Sequence, residues 1–538
     1  MSSRYVLRVI AGPVACLLVI NLLAGCARDW KTFRHNGLRD AHQARASKLS
    51  DPAQVTTLHV ATGWPFHPPG AQAFRASAIV HKGRVYIGNG NGRFYALDAV
   101  TGALLWQYPP TAAPALTSTF TCNPSSHGIA SSAAIARIGG ITAVIFAAPD
   151  RSIGTGAGSG RLFALNVATG DEIWKSPEIA VLNTGVGSTQ HEQLGYSAPL
   201  VFKNHVYVGV ANHCDNPIQR GKVVAVHLAT GAIDPAFGFF GAGPPRGGGV
   251  WSSVAGWDGG VFVTTGNTNI GAPEPPDNHG LSMLRLDRNT GSIVWKLQPV
   301  PFELDGDPDW SAGAAVISAS CGTLVASTMK DGWTYGVDAG SASPGPPSVR
   351  WQFPPTGIPF TPGDGTVHGD TRYLRPGAAW GDVFITMAGG LNVTTNLGAG
   401  LRRLHALNAC APDSHRVRWI VDVPGSCTGV PTGQDYCLGP PTVSRGMVFV
   451  GMTAGRLVVI ADPSIAPPLG FRCSDPDIPN GICALIGALV PGSMLRLVPE
   501  PAVLAQVTLS GQILTEPVLA RGRVYVATGA GNLYMLEP

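Results

Sequence analysis

One stretch of the sequence decides the fold: residues 84–106, which read RVYIGNGNGRFYALDAVTGALLW. A run of β-branched and aromatic residues, 84–88, is followed by a glycine-containing turn and by a second such run that ends in Asp98. This pattern is typical of two short antiparallel strands. Thr101-Gly102 then predicts a tight turn, because glycine readily adopts positive φ. The following outer strand carries Trp106.

The same pattern returns along the chain, and self-similarity of this kind indicates a repeat architecture. The further copies lie at 162–174, 223–231, 284–295, 335–351, 404–419, 447–462 and 523–536. Four of them repeat the Trp, whereas the copy at 223–231 lacks it. Each copy predicts a blade of four antiparallel strands, with the Trp as a wedge between neighbouring blades. The sequence therefore predicts an all-β fold, an eight-bladed β-propeller, with little helix.

The two ends of the chain predict how the ring closes. The last copy stops at Pro538 after its third strand, and Ala61-Thr62-Gly63-Trp64 carries the end of a repeat without the strands that precede it elsewhere. Pairing this stretch with the C-terminal strands would complete the eighth blade and remove its exposed edges. We therefore expect the propeller to occupy residues 58–538 and to follow a lead-in segment, 26–57.

The composition limits the classes of function. The 538 residues include 37 basic and 33 acidic side chains, a formal net charge of +4, and only 13% of residues are charged. So balanced a charge gives no support for nucleic-acid binding. A hydrophobic content of 45% excludes a disordered chain, and 69 glycines with 45 prolines indicate many turns.

The N-terminus is expected to be an export and anchoring signal. Two arginines precede an apolar stretch, 9–23, that is too short for a comfortable transmembrane helix. The tetrad LAGC at 23–26 resembles the bacterial lipobox, which implies removal of a signal peptide, 1–25, and lipidation of Cys26. An ordinary signal peptide cut near Ala24 is the alternative. The lipobox predicts anchoring in the cell envelope on the periplasmic or extracellular face, in the outer membrane if the bacterium has two membranes.

Cysteine usage agrees with export. Eight of the ten cysteines remain after the predicted cleavage and lipidation, and an even set in an oxidising compartment predicts disulfides. Cys427/Cys437 and Cys473/Cys483 each close a short loop and are the preferred pairs, and Cys122/Cys214 and Cys321/Cys410 would complete the set. No two cysteines have the C-x-x-C spacing, so the sequence offers no c-type haem attachment.

The blade signature, Ala-x-Asp-x-x-Thr-Gly-x-x-x-Trp, resembles the pyrroloquinoline quinone (PQQ) repeat family over nearly the whole chain after the signal. The opening also fits: WKTFRHN at 30–36, VTTL at 55–58 and Trp64 look like the start of quinoprotein alcohol dehydrogenases and their polyvinyl-alcohol-dehydrogenase-like relatives. The resemblance implies a dehydrogenase that binds PQQ and Ca²⁺ and oxidises an alcohol group. Outer-membrane assembly lipoproteins of the BamB type use the same blades without cofactor, so a non-catalytic scaffold for envelope proteins is the alternative.

The resemblance also implies individual site residues. Trp251, after a glycine run at 247–249, matches the Trp that stacks on the quinone ring, and Asn267 matches a calcium ligand. Lys330 matches the Lys or Arg that contacts the quinone. The chemistry needs such groups because a flat aromatic side chain supports the quinone ring, and a hard cation polarises a carbonyl of that ring. Core packing for Trp251 and an ordinary turn for Asn267 are the alternatives.

An acidic run lies between these segments. Residues 303–310 read ELDGDPDW, which places four carboxylates within seven residues. In the family, the acidic run at this place carries the catalytic Asp, so Asp307 or Asp305 would be the base for the alcohol proton. The cluster could itself hold Ca²⁺. The alternative is a solvated acidic loop at the rim of the propeller.

Three departures from the family pattern are also evident. The family's enzymes carry two adjacent, bridged cysteines over the cofactor, and this chain has no Cys-Cys pair. Asp215 would have to substitute for a Glu metal ligand, and His127 stands near the place of an Arg that would meet the PQQ carboxylates. Two hypotheses remain open: a dehydrogenase that acts on a small-molecule or polymeric alcohol and passes electrons to a periplasmic acceptor, and a scaffold for envelope proteins. In either case we expect a monomer.

Overall fold

The computed structural model shows a ring of eight four-stranded antiparallel sheets, which confirms the predicted propeller. The residues that the structure describes are 29–46, 48–119, 126–150, 159–181, 192–194, 196–212, 221–240, 247–268, 279–299, 309–310, 312–330, 332–342, 345–353, 376–387, 402–425, 437–474, 478–490, 493 and 495–538.

The strands follow the repeats of the sequence. In the first half of the chain they are β1 (His59–Val60), β2 (Ile79–His81), β3 (Arg84–Gly88), β4 (Phe94–Asp98), β5 (Leu104–Tyr108), β6 (Ser118–Thr119), β7 (Ser126–His127), β8 (Ala134–Ile138), β9 (Ile141–Asp150), β10 (Ser159–Asn166), β11 (Glu172–Lys175), β12 (Leu200–Phe202), β13 (His205–Val210), β14 (Lys222–His227), β15 (Phe239–Phe240), β16 (Ala255–Trp257) and β17 (Gly260–Thr264). In the second half they are β18 (Met283–Asp287), β19 (Ile293–Leu297), β20 (Ala315–Ala319), β21 (Gly322–Thr328), β22 (Thr334–Asp338), β23 (Val349–Phe353), β24 (Ala378–Trp380), β25 (Val383–Thr386), β26 (Arg403–Asn408), β27 (Val417–Asp422), β28 (Thr442–Ser444), β29 (Met447–Gly451), β30 (Arg456–Ala461), β31 (Gly470–Cys473), β32 (Leu497–Glu500), β33 (Ala502–Thr508), β34 (Val518–Ala520), β35 (Arg523–Ala527) and β36 (Leu533–Glu537).

Blades 1 to 6 each use four consecutive strands. In order they are β2–β5, β8–β11, β12–β15, β16–β19, β20–β23 and β24–β27. Blade 7 consists of β28, β29, β30 and β33, and blade 8 of β34, β35, β36 and β1. The pair β6–β7 and the pair β31–β32 stand outside the blades. Residues 462–501 are inserted between β30 and β33 of blade 7, and we call this segment the blade 7 insertion. It contains the pair β31–β32.

Helices are few among the described residues, as predicted. Two α-helices, α1 (Pro52–Val55) and α2 (Asn480–Leu489), accompany 3-10 turns at Lys48–Ser50 and Asp413–His415. Within the described part of the chain, no helix combines the length and the apolar character that crossing a membrane requires.

The two ends of the described chain complete blade 8. β1 pairs with β36, so that His59 lies opposite Glu537. This strand lies just before the predicted stretch 61–64, and the N–H of Ala61 continues the pairing by donating to the carbonyl of Met535 at 3.0 Å. The predicted closure by N- and C-terminal strands is therefore confirmed, with the paired strand two residues earlier.

Tryptophans wedge between neighbouring blades, as the repeat predicts. The Nε1 of Trp106 in blade 1 donates to the Val167 carbonyl of blade 2 at 3.2 Å, and the Nε1 of Trp174 in blade 2 donates to the Leu228 carbonyl of blade 3 at 3.0 Å. Each ring also covers the glycine of the next Thr-Gly turn. A Cβ on Gly170, where φ is +81°, would lie 2.8 Å from the Trp106 ring. Only glycine satisfies both the turn and this close contact.

Residues 30–43 of the lead-in segment, which we call the axial segment, run along the axis of the ring. The first strands of neighbouring blades contact one another around that axis. Backbone hydrogen bonds join Trp30 to Val80 (2.9 Å), Lys31 to Ile135 (2.8 Å), Gly37 to Gly256 (2.9 Å), Leu38 to Val316 (2.8 Å), Asp40 to Ala379 (2.8 Å) and Gln43 to Val443 (2.9 Å). Side chains reach the two remaining blades: Arg39 donates to Pro199 O at 3.1 Å, and Gln43 donates to Leu519 O at 3.2 Å. The segment thus contacts all eight blades.

Disulfides connect blade 5 to blade 6 and brace the blade 7 insertion. Cys321 is bonded to Cys410 across 89 residues, and Cys473 is bonded to Cys483 across 10 residues. Both pairs confirm the sequence prediction. Cys437 is also disulfide-bonded. The cysteines that lie outside the described residues are Cys16, Cys26, Cys122, Cys214 and Cys427.

Candidate cofactor site

The fold brings three chemically distinct side chains to the same end of blades 4 and 5. Trp251 precedes β16 and Asp309 precedes β20, the first strands of these two blades. Lys330 follows β21, and the end of β21 lies beside the start of β20 because the two strands are antiparallel. Since the first strands of the blades all run in the same direction along the axis, residues that precede them gather at one end of the ring.

A carboxylate lies at the centre of this group. Asp309 Oδ2 accepts a hydrogen bond of 2.8 Å from the indole Nε1 of Trp251, and Asp309 Oδ1 forms an ion pair with the ammonium group of Lys330. The Lys330 Nζ also lies 5.4 Å from the centroid of the Trp251 ring, within the range of a cation–π contact. The side chain of Asp309 is only 1% exposed and that of Lys330 8%. The three groups thus form a single, largely desolvated unit.

Buried apolar residues hold the carboxylate and the ammonium in place. Trp310 and Met329, each next to one of the charged residues, form an isolated antiparallel bridge, and both are buried. The N–H of Lys330 donates to the carbonyl of Asp309 at 2.9 Å. Because hydrophobic neighbours fix both backbones, the ion pair is positioned before any ligand binds.

A glycine-rich pair of segments forms the other side of the group. The N–H of Gly248 donates to the Asn267 carbonyl at 2.8 Å, and the N–H of Gly266 donates to the Gly249 carbonyl at 2.7 Å. A Cβ on Gly266 would lie 3.3 Å from Asp309 Oδ2 and 3.4 Å from the Trp251 ring, so a side chain would crowd the site. The structure therefore places the predicted Asn267, which is 7% exposed, on the segment next to Trp251. Its role as a calcium ligand stays a prediction.

His127 belongs to a second group at the same end of the ring. Its ring lies 5.9 Å from that of Tyr196, edge to face. The hydroxyl of Tyr196 accepts a hydrogen bond of 3.0 Å from Arg75. These residues precede the first strands of blades 2, 3 and 1 respectively. A cation is thus present in this group although the sequence has His where the family was expected to have Arg.

Buried charged side chains of the axial segment lie at the same end of the ring as the candidate site. Arg34 Nη1 lies 3.3 Å from Glu516 Oε2, and neither side chain is exposed. Arg39 donates to the carbonyl of Val254 at 2.9 Å, three residues after Trp251. Burial lowers the pKa of Arg39 to about 9, although the Glu516 carboxylate acts against the shift. Burial likewise raises the pKa of Glu516, against the effect of Arg34. Buried arginines and a buried glutamate therefore form a desolvated ionic network on the axis next to the candidate site.

Sequence reasoning found part of this site and missed part of it. Trp251 and Lys330 are brought together as expected. In the sequence, Asp309 is only one member of the acidic run, and no motif points to Arg75 or Tyr196. Asp309 is distinguished from the other acidic residues of the run because it directly precedes Trp310, a residue type typical of buried strands. The predicted residues that lie outside the described residues are Asp215, Asp305 and Asp307.

Comparison with known proteins gives the family. Residues 34–344, more than half of the chain, match the PQQ family described as the glucose/ethanol/alcohol dehydrogenase β-propeller domain. The chain belongs to this family. The quinohemoprotein alcohol dehydrogenase ADH IIB of Pseudomonas putida is 24% identical over 496 residues, which cover 76% of this chain and 65% of that protein. The quinohemoprotein alcohol dehydrogenase of Comamonas testosteroni is 24% identical over 306 residues, which cover 51% of this chain and 39% of that protein. The match thus spans less than two thirds of either relative.

Solved structures agree on the fold of this PQQ-family chain. A europium-containing methanol dehydrogenase superposes with a TM-score of 0.63 at 15% sequence identity, covering 97% of this chain and 100% of that chain. At this identity the likeness concerns the architecture of the propeller. The residues that do the chemistry have to be argued from the site itself.

Proposed function

We propose that this protein is a quinoprotein dehydrogenase that binds PQQ together with Ca²⁺ and oxidises an alcohol group. The observation that carries the proposal is the joining of Trp251, Asp309 and Lys330 through one carboxylate at the end of the propeller axis. Family membership supports the same reaction class. Small-molecule and polymeric alcohols are both candidate substrates.

The residues present fit a flat, anionic quinone. The half-buried indole of Trp251 offers an aromatic face, and glycine at 266 leaves free the space that a Cβ would fill. Lys330 supplies a cation beside that face, suited to quinone and carboxylate oxygens. Oxygen ligands for a hard cation are expected from Asn267, from Asp215 and from the acidic run, in agreement with the ligand preference of Ca²⁺.

The chain's own groups would perform the following tasks. PQQ, when bound, supplies a two-electron acceptor for the hydrogen on the alcohol carbon. Trp251 would support the ring, and Lys330 would hold its oxygen atoms and balance negative charge. Asp309 would accept the hydroxyl proton of the alcohol, since it is the described carboxylate of the acidic run that touches both other groups. Burial of Asp309 and Lys330 keeps bulk water away from that proton transfer. Asp305 and Asp307 stay predictions for the same role.

We further propose that the protein works in the bacterial cell envelope as a lipid-anchored monomer. The LAGC tetrad at 23–26 supports lipidation of Cys26, and the disulfides support an oxidising compartment. Electrons would pass to a periplasmic acceptor. Metabolic labelling with a radioactive fatty acid tests the anchor: the wild type should be labelled and a Cys26→Ser variant should not.

Binding of PQQ tests the main proposal. The protein, freed of bound ions by chelation, is titrated with PQQ in the presence of Ca²⁺ or Eu³⁺, and binding is followed by equilibrium dialysis. A dye-coupled assay with alcohols of increasing length and with polyvinyl alcohol then measures turnover. We expect saturable, metal-dependent binding and alcohol-dependent reduction of the dye.

A matched pair of lysine variants makes the test specific. Lys330→Gln should weaken PQQ binding about tenfold or more, because a hydrogen bond to a charged group contributes about 1.5–3 kcal/mol. Lys175→Gln, on an exposed position of blade 2, should leave binding unchanged. Absence of saturable binding with either metal, or equal affinity of all three proteins, would contradict the proposal.

The blade 7 insertion favours a second candidate function, binding of an envelope protein. Leu469, Phe471, Leu485 and Leu489 are 68%, 59%, 58% and 69% exposed, and the Cys473–Cys483 disulfide holds their segments together. Such a cluster of exposed apolar side chains is typical of an interaction surface. A photo-crosslinking amino acid at position 489 should form a specific adduct with an envelope protein in cells, whereas the same probe at the exposed Thr111 should not.

A further inference from the structure

Two histidines and one aspartate meet in blade 3, at the end of the strands opposite the candidate cofactor site. His205 begins β13 and His227 ends β14, and the two residues face each other in the strand register. Asp234 follows the turn after β14. Trp251 lies at the end of its blade where the first strand begins, whereas this group lies where the first and second strands are joined. The two sites are therefore separated by the length of a blade strand.

The side chains converge closely. One ligand atom from each of the three residues lies within 4.8 Å of the other two. His205 Nε2 lies 3.0 Å from Asp234 Oδ2, and the centroids of the His205 and His227 rings are 4.8 Å apart. Asp234 is held in place by its own turn: its Oδ1 accepts a hydrogen bond of 2.9 Å from the N–H of Ala236, which leaves Oδ2 directed at His205.

His205 is buried without the hydrogen bonds that a buried imidazole normally makes. The residue is 6% exposed, and neither Nδ1 nor Nε2 has a partner with hydrogen-bond geometry among the described residues, in spite of the short contact with Asp234. A buried imidazole that lies 3.0 Å from a carboxylate oxygen and beside a second imidazole ring is an arrangement suited to a metal ion.

The site arises where blade 3 departs from the repeat. In blades 1 and 4 the residue equivalent to His227 is Asp98 or Asp287, and its carboxylate accepts two backbone N–H groups of the Thr-Gly turn at 2.8–2.9 Å. An imidazole replaces that cap in blade 3, where the turn is closed by backbone bonds to the His227 carbonyl. Blade 3 also lacks the wedge Trp, and Asp234 lies in the segment that carries it elsewhere. His227 thus replaces a structural carboxylate with an imidazole, and Asp234 lies one residue before Pro235, which occupies the position of the Trp.

We propose that His205, His227 and Asp234 bind a divalent first-row transition metal, with Zn²⁺ as the expected ion. Two imidazoles and one carboxylate are a ligand set suited to zinc, and water would complete the tetrahedron. Zinc ligands at about 2.0–2.1 Å lie about 3.3 Å apart in that geometry, close to the observed separation of His205 Nε2 and Asp234 Oδ2. The ion would tie β13, β14 and the turn after β14 together. Calcium is disfavoured because imidazole nitrogen is a poor ligand for it.

Metal titration of the full chain, without a histidine tag, tests this assignment. Zn²⁺ binding is measured against a chromophoric chelator, and bound zinc is counted by elemental analysis. Co²⁺ serves as a spectroscopic probe, because a four-coordinate site gives an intense visible absorption that six-coordinate cobalt lacks. We expect on the order of one tightly bound Zn²⁺ per chain and the four-coordinate Co²⁺ spectrum.

The repeat itself offers a conservative variant. His227→Asn introduces the residue found at the equivalent positions 166 and 408 of blades 2 and 6, so the turn should form normally. This variant and Asp234→Asn should each lose the bound zinc and the cobalt spectrum, whereas His415→Asn, at an exposed histidine, should retain both. Failure of the wild type to bind Zn²⁺ saturably, or retention of zinc and of the spectrum by His227→Asn, would overturn the proposal. PQQ plays no part in any of these measurements.

Discussion

The indole Nε1 of Trp251 donates a hydrogen bond of 2.8 Å to Asp309, a residue 58 positions further along the chain. The same carboxylate pairs with Lys330. One carboxylate thus connects the aromatic group of blade 4 with the cation of blade 5. Trp251 and Lys330, which the family resemblance suggests separately, therefore belong to a single site.

The position of the base can be tested within the acidic run. Asp309→Asn should reduce kcat of the PQQ-loaded protein by about two to four orders of magnitude, the range for loss of a general base. Asp305→Asn and Asp307→Asn are matched controls, since they remove the same charge from the same run. The dye-coupled assay gives kcat, and circular dichroism confirms the fold. If Asp307→Asn or Asp305→Asn abolishes turnover and Asp309→Asn does not, the original prediction from sequence is correct and our assignment is wrong.

The contact between a wedge Trp and the next turn makes a quantitative prediction for glycine substitutions. Gly170 and Gly259 both have positive φ, but a Cβ would meet the Trp106 ring only at Gly170, and at Gly259 it would meet nothing within 4 Å. Backbone strain of about 1–2 kcal/mol is common to both alanine variants. Gly170→Ala should lose about 1–3 kcal/mol more, because the ring has to move. Urea denaturation of both variants measures the difference; equal losses would show that the wedge is loosely packed.

The two described disulfides should differ in their contribution to stability. In the chain-entropy treatment, the loop of 89 residues closed by Cys321–Cys410 is worth about 5 kcal/mol, and the loop of 10 residues closed by Cys473–Cys483 about 3 kcal/mol. The paired serine variants should therefore lower the melting temperature in that order under oxidising conditions. A larger effect of the shorter loop would indicate that the blade 7 insertion, and not the blade 5–blade 6 junction, limits stability.

Acid should destabilise the protein through buried histidines. Burial lowers the pKa of His405 to about 3 from 6.5, with Arg403 adding to the shift and Asp422 opposing it. Below pH 6.5, His405 binds a proton in the unfolded chain but stays neutral in the folded chain. The free energy of unfolding therefore falls as the pH drops towards 3. One such group contributes a slope of about 1.4 kcal/mol per pH unit.

Replacing that histidine should flatten the pH dependence. His405→Phe, beside Phe353, should remove about that slope from the unfolding free energy measured between about pH 4.5 and 6.5. His415→Phe, at an exposed site, should keep the full slope. The slope is the relevant quantity, because the absolute stability also depends on how the new ring packs. An unchanged slope in His405→Phe would contradict the role of His405 and would leave the acid response to His35 and His42, whose pKa values burial lowers to about 4.

The blades could be predicted because each depends on local chemistry. A turn that needs glycine, a cap that needs Asp or Asn, and a wedge that needs Trp recur at fixed spacing, so the pattern of 84–106 is readable in every copy where those groups survive. The closure also followed, since an unpaired strand edge at one end of the chain matched a half-repeat at the other.

The missing parts of the site depend on contacts that spacing does not encode. Four carboxylates alternate along 303–309, and only the bridge between Trp310 and Met329 determines that Asp309 meets Lys330. The course of the segment 30–43 was equally hidden, because its partners are scattered from Val80 to Leu519 and impose no period on it. In the sequence, the cluster in blade 3 is marked by the missing Trp and by His227, which stands where other blades have Asp or Asn.

The axial segment has a consequence for biosynthesis. Residues 30–43 are translated before their hydrogen-bonding partners, which extend to Leu519 and include Glu516, 482 residues after Arg34. Arg34 is therefore translated long before Glu516, the carboxylate that neutralises it. A nascent protein that is truncated before the eighth blade keeps these cations without the carboxylate of Glu516 and therefore cannot complete the buried ionic network.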